Sequence, residues 1–106
     1  MTMSEVKALF YLPIRDSDGR ELRDEIEELL AEVYVRFAGW TFQGYVKGAF
    51  RMADGTQALD ESGAYFVVLD ETRIGELEAL LRQFKSKSLQ ELIYLEIQRD
   101  VDVRFL

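Results

Sequence analysis

The chain has 106 residues, of which 13 are basic and 20 are acidic, and its formal net charge is −7. It contains no histidine and no cysteine, which excludes Ser-His-Asp and thiol catalysis, thiolate zinc sites and disulfides. The length predicts a single domain over residues 1–106.

The first predicted elements are a strand and an acidic amphipathic helix. Residues 6–14 are β-prone, and every second residue from Val6 to Ile14 is apolar, which predicts a strand. Asp18 and Glu21 have the spacing of a capping box after the turn at residues 16–19, so we expect a helix to start at Asp18. Its apolar positions recur every three or four residues: Leu22, Ile26, Leu29, Leu30, Val33 and Phe37.

Two strands joined by a hairpin are predicted next. Residues 40–52 alternate, which places Trp40, Phe42, Val46, Phe50 and Met52 on one side and Thr41, Gln43, Tyr45, Lys47 and Arg51 on the other. Asp54 and Gly55 predict the hairpin turn. Residues 62–69 are almost entirely apolar, which is typical of a central strand.

The last part of the chain predicts a helix and a strand with a long continuation. The second helix is expected from about Thr72, as its N-cap, to the lysines at 85 and 87. Residues 92–106 alternate again, but one strand of that length would span about 50 Å, too long for so small a domain. The tail is therefore expected to fold back near residues 98–100, as an extra C-terminal strand, or to run onto another subunit.

This order of elements predicts the α+β fold called ferredoxin-like: βαββαβ, with a four-stranded antiparallel sheet in the order 4-1-3-2 and two helices on one face. The chain resembles a small uncharacterised bacterial family of ferredoxin-like domains at scattered positions: Arg36-Phe37, Gly39, Thr41, Gly44, Gly48, Asp54-Gly55, Glu61-Ser62 and Gln90-Glu91. The resemblance implies a fold and no activity.

The sheet side away from the helices is the candidate functional surface. We expect the helices to pack on Phe10, Trp40, Phe42, Phe50, Leu95 and Ile97. The opposite side would present Leu9, Tyr11, Thr41, Gln43, Tyr45, Lys47, Arg51, Leu92, Tyr94 and Glu96, with Tyr65 joining if its parity matches. Such a surface is too apolar to remain bare. Its candidate ligand-binding or interface residues are Tyr11, Gln43, Tyr45, Lys47, Arg51, Tyr65 and Tyr94.

Two functions remain open on this evidence. The first is a small binding domain that forms a homodimer through the tyrosine-rich sheet face. A cleft lined by tyrosines, in which Lys47 or Arg51 binds a small anionic or aromatic ligand, can coexist with this dimer. The second function is a cofactor-free enzyme, in which Tyr45 or Tyr65 beside Arg51 polarises a carbonyl and Glu61 takes a proton.

Other partners find little support in the sequence. The net charge and the missing RNA-recognition signature in residues 62–69 argue against nucleic acid. We expect no cofactor and no metal. We also expect no membrane association and a cytoplasmic location, because no apolar run approaches the length of about 20 residues that crosses a bilayer and no signal-peptide pattern is present. Residues 16–32 carry eight acids and two bases, whereas residues 33–53 carry three bases and no acid. An anionic ligand is therefore compatible with the predicted face.

Overall fold

In a computed structural model, which describes residues 4–106, four strands form one antiparallel sheet in the order β2-β3-β1-β4, and two helices accompany it. The elements are β1 (Glu5–Pro13), α1 (Arg23–Phe37), β2 (Thr41–Arg51), β3 (Gln57–Asp70), α2 (Ile74–Lys87) and β4 (Leu95–Gln98). The strand order and the α+β class are those predicted from the sequence. Neither helix within residues 4–106 has the length and apolar character that crossing a membrane requires.

The core lies between the two helices and one face of the sheet. Every second residue of β1 is buried, and these side chains pack against apolar side chains of α1, α2 and β3. The β1 members are Val6, Ala8, Phe10 and Leu12, and the helix members include Leu29, Leu30, Val33, Leu77, Leu80, Leu81 and Phe84. We call this the helix side of the sheet and the other the open face.

The first helix begins five residues later than predicted. Asp16, rather than Asp18, provides the polar side chain: its Oδ1 accepts hydrogen bonds from the backbone N–H groups of Asp18, at 2.9 Å, and Arg20, at 2.8 Å. This local loop uses the donors that a helix would need, so α1 starts only at Arg23. The capping-box prediction was wrong because a neighbouring aspartate competes for the same backbone groups.

Thr72 is not the N-cap of the second helix as predicted, and α2 has no side-chain cap at its own start. A 3₁₀ turn (Glu71–Arg73) precedes α2, and the Asp70 side chain accepts from the Thr72 N–H at 2.9 Å. Arg73 then joins the two helices, because its Nη2 donates to the Arg36 carbonyl near the end of α1, at 2.8 Å, while its Nε pairs with Glu76. Its guanidinium also lies 4.7 Å from the centre of the Phe37 ring.

A bulge in β2 changes which side chains share a face. Phe42 pairs with Tyr65 and Gly44 pairs with Ala64, which leaves Gln43 as an extra residue without a partner on β3. Gly44 has φ +118°, a conformation that favours glycine. The alternation predicted through residues 40–52 is therefore interrupted, and every β2 residue after the bulge lies on the side opposite to the one predicted.

Two parts of the chain extend beyond the contact between the helices and the sheet. The pairing of β1 with β3 ends at Pro13 and Ser62, so residues 47–51 and 57–61 continue as a two-stranded ribbon. β3 accordingly starts five residues before its predicted start. At the other end, β4 stops at Gln98 and starts at Leu95, not at residue 92. Residues 99–106, which we call the tail, form no strand within the described chain.

Candidate functional site

The open face is lined by partly exposed aromatic and aliphatic side chains of β1 and β3. Strand alternation and register place Leu9, Tyr11, Phe66 and Val68 on this side, because their neighbours Phe10 and Val67 point into the core. Tyr94 joins them just before β4, where its ring stacks on that of Tyr11 at a centroid distance of 4.5 Å. Tyr11 and Tyr94 therefore lie together, as the sequence predicted.

The charges on the open face are few and of both signs. The Lys7 ammonium lies 4.3 Å from the centre of the Phe66 ring, which is a cation–π distance. Glu96 lies beside Leu9 in the register and accepts a hydrogen bond from the Tyr94 hydroxyl at 2.6 Å. This hydrogen bond raises the pKa of Tyr94 and lowers that of Glu96. Lys7 and Glu96 thus lie beside the apolar side chains of the face, and the same alternation places Glu5 and Asp70 on this side where β1 begins and β3 ends.

Four further predicted site residues lie on the helix side, which corrects the sequence-based grouping, whereas Gln43 is the bulge residue without a partner on β3. Tyr65 is directly opposite Phe10 in the register, so both face the helices. Because of the bulge at Gln43, Tyr45 pairs with Gly63 and Lys47 with Glu61, on the same side as Tyr65. Arg51, which pairs with Gln57, shares this side. Conversely, Phe50 pairs with Ala58 on the side of the open face, not on the helix side as predicted.

Four aromatic residues form a second surface, which we call the aromatic patch: Trp40, Phe42, Tyr45 and Tyr65. The Tyr65 ring is central, with centroid distances of 5.9 Å to Trp40 and 5.2 Å to Phe42. The Phe42 and Tyr45 rings are 5.1 Å apart in an edge-to-face arrangement. Exposed fractions of 41%, 40% and 68% for Trp40, Phe42 and Tyr45 show that the patch lies at the surface.

A glycine permits this close arrangement of rings. A Cβ atom at Gly63 would lie 2.9 Å from Cε2 of Tyr65 and 3.3 Å from Cε1 of Phe42. Side chains larger than hydrogen at this position would push the Tyr65 ring away from the sheet. Gly63 pairs with Leu12 on one side and with Tyr45 on the other, so it lies between the core and the aromatic patch.

The chemistry available at the patch comes from two phenols and one pair of charges. Burial raises the pKa of Tyr65, and the nearby Tyr45 raises it further. The Tyr65 phenol is therefore a neutral hydrogen-bond donor at neutral pH. Lys47 and Glu61 are next along the same side of the strands. Arg51 lies six residues from Tyr45, roughly 20 Å along β2, so the predicted action of Arg51 beside a tyrosine is wrong.

Sequence reasoning missed part of each surface. Trp40 and Phe42 were placed in the core, whereas they are two-fifths exposed, and Phe66 was not singled out. The signal for Phe66 was present, because alternation through residues 62–69 puts it on the parity of Ala64 and Val68. No group of three or more acidic residues within residues 4–106 is arranged to hold a metal ion.

No protein-family profile and no curated protein match this chain. Solved structures are similar to it in fold. A phage SAM lyase in complex with S-methyl-5′-thioadenosine has a TM-score of 0.71 at 16% identity, over 93% of this chain and 84% of that one. CutA1 from Oryza sativa has a TM-score of 0.66 at 10% identity, over 97% of this chain and 85% of that one.

A DUF3240 family protein from Shewanella baltica is similar over nearly the full length of both chains, with a TM-score of 0.64 at 15% identity, 100% of this chain and 99% of that one. CutA1 and the DUF3240 family protein are small ferredoxin-like domains, so the likeness confirms the predicted ferredoxin-like fold. At these identities the likeness shows the fold alone.

Proposed function

We propose that this protein is a small binding domain that self-associates through the open face. The observation that carries the proposal is the row of aromatic and aliphatic side chains on the sheet side that no helix covers: Leu9, Tyr11, Phe66, Val68 and Tyr94. Contiguous apolar surface of this kind is typical of protein interfaces. A second copy of the chain is the occupant that the face fits.

Symmetry and charge both support a second copy as the occupant. Two antiparallel sheets pack face to face at about 10 Å, and a twofold axis uses the same patch on both partners. Lys7 and Glu96 are charged groups that contact aromatic side chains of the face, and they have opposite signs. A twofold arrangement can therefore bring the cation of one copy towards the carboxylate of the other.

A charge placed on the open face tests the proposal. We expect Tyr11→Glu to lower the association constant strongly, because the interface would have to bury a carboxylate between apolar side chains. The matched control is Tyr34→Glu, the same substitution at a tyrosine that is 63% exposed on α1. Light scattering across a concentration series measures association, and circular dichroism confirms that both variants are folded. A strictly monomeric wild-type chain at high micromolar concentration, or equal effects of the two substitutions, would contradict the proposal.

A second candidate is a cofactor-free enzyme with its site at the aromatic patch. It is favoured by the fold likeness to the phage SAM lyase, whose structure holds an adenosine thioether. A purine ring can stack on exposed aromatic side chains, and a phenol or a lysine can donate hydrogen bonds to a polar or anionic group. Tyr45, Tyr65, Lys47 and Glu61 would supply the polar groups for such a small aromatic or anionic ligand.

Fluorescence of the single tryptophan, Trp40, tests this second candidate. Titration with S-methyl-5′-thioadenosine should give a saturable change in the wild type that Tyr45→Ser weakens and Tyr34→Ser leaves intact. Incubation with S-adenosylmethionine, followed by mass spectrometry, would show whether S-methyl-5′-thioadenosine is released. A response that does not saturate, or that is the same in all three proteins, would rule out the site.

A further inference from the structure

The tail is the part of the chain whose strand-like sequence finds no strand partner. Val101, Val103 and Phe105 alternate with Asp100, Asp102 and Arg104. Within the described part of the chain, no backbone hydrogen bond joins residues 99–106 to the sheet. Eight residues in a β conformation would reach about 26 Å, enough to add a full strand to a sheet.

The outer edge of β2 is an unpaired edge of matching length. Among residues 4–106, β2 pairs only with β3, so the other side of its eleven residues is open. Alternate residues of an edge strand direct their N–H and C=O groups outwards, where they can pair with another chain. The ribbon strengthens this argument, because an isolated two-stranded hairpin is only marginally stable in water.

We propose that the tail of one copy adds as a further strand to the outer edge of β2 of a second copy. This inference rests on the proposed self-association and names the segment and the edge that take part. The two rows of the tail match the two faces of β2. Val46 and Phe50 lie on the side of the open face, whereas Lys47 and Arg51 lie on the helix side. The apolar row of the tail can therefore lie on the side of Val46, with Asp102 on the side of Lys47.

One antiparallel register places an aspartate of the tail beside Lys47 and apolar side chains of the tail beside Val46 and Gly44. If Val103 lies beside Val46, Asp102 lies beside Lys47 and Phe105 lies beside Gly44. Opposite charges placed directly across two strands stabilise the pair, and an aromatic ring can cover a strand glycine. Main-chain hydrogen bonds would provide the affinity and these side-chain rows the register.

Cysteine cross-linking between two separately prepared chains tests the pairing directly, because the natural sequence contains no cysteine. One chain carries Val46→Cys, and a second chain with a size tag carries Val103→Cys. Mild oxidation of the mixture should give a disulfide-linked product that contains one untagged and one tagged chain, with a size between those of the two possible homodimers. The matched control replaces the first variant with Val35→Cys, which has its cysteine at an exposed valine on α1.

Removal of residues 100–106 provides the second measurement. We expect the truncated chain to associate about tenfold more weakly than the full chain, equivalent to about 1.4 kcal/mol. If the full and truncated chains associate equally, or if the cross-linking yield with Val46→Cys does not exceed that of the control, the tail inference is overturned while self-association stands. A full chain that is monomeric at every concentration refutes the proposed function, and the tail inference with it.

Discussion

The bulge in β2 depends on Gly44, and replacing it with alanine should reveal how strongly the fold requires a glycine there. Gly44 has φ +118°, and a Cβ atom built on it would meet nothing within 4 Å. The penalty is therefore conformational rather than steric, and a non-glycine residue in such a region costs about 1–3 kcal/mol. For a domain with a total stability of about 5–15 kcal/mol, this loss is large.

Urea unfolding followed by Trp40 fluorescence measures the effect of Gly44→Ala. The matched control is Gly39→Ala, because a Cβ atom at Gly39 also meets nothing within 4 Å and its φ is not positive. We expect Gly44→Ala to lower the free energy of unfolding by about 1–3 kcal/mol more than the control does. Equal stability of the two variants would show that β2 does not need this backbone conformation, and the assignment of Tyr45 and Lys47 to the helix side would lose its basis.

Two further predictions concern the core and the loop before α1. Phe10→Ala should cost about 3–5 kcal/mol in denaturant unfolding, because the ring is fully buried against both helices and Tyr65; a loss below about 2 kcal/mol would contradict the described packing. The pKa of Asp16 lies below its ordinary value of 3.8, mainly because the Arg20 backbone N–H donates to its carboxylate. Its stabilisation is thus present above the unfolded-state pKa and is lost as the pH falls through the lower folded-state value. Asp16→Asn should therefore be less stable at neutral pH, and its unfolding free energy should fall less steeply than that of the wild type below about pH 4; parallel curves would contradict this assignment.

The fold could be predicted because its determinants are local and repeated. The alternation in β1 and the three- and four-residue spacing in both helices are visible in single segments, and their order is sufficient to predict the strand arrangement. Helix starts were harder to predict, since Asp16 and Asp18 are both able to accept backbone hydrogen bonds. In the structure Asp16 accepts them, next to a short bridge between Arg15 and Glu21 that the capping-box pattern does not include.

The candidate site could be predicted only in part because one bulge decides its membership. The sequence shows glycines at both 44 and 48, and either is compatible with an irregular strand. Only the register against β3 shows that the extra residue is Gln43, which moves Tyr45, Lys47 and Arg51 to the other side of the sheet. Tyr11, on a strand without a bulge, and Tyr94, just before β4, lie where alternation predicted them.

Arg73 couples the local unfolding of the two helix ends that it connects. Its side chain binds the Arg36 carbonyl in the last turn of α1 and Glu76 in the first turn of α2, and it covers the Phe37 ring. Fraying of either helix end would break these bonds together, so the two ends should behave as one cooperative unit. Amide hydrogens in the last turn of α1 and the first turn of α2 should then exchange with solvent at similar rates, although 37 residues separate Arg36 from Arg73 in the chain.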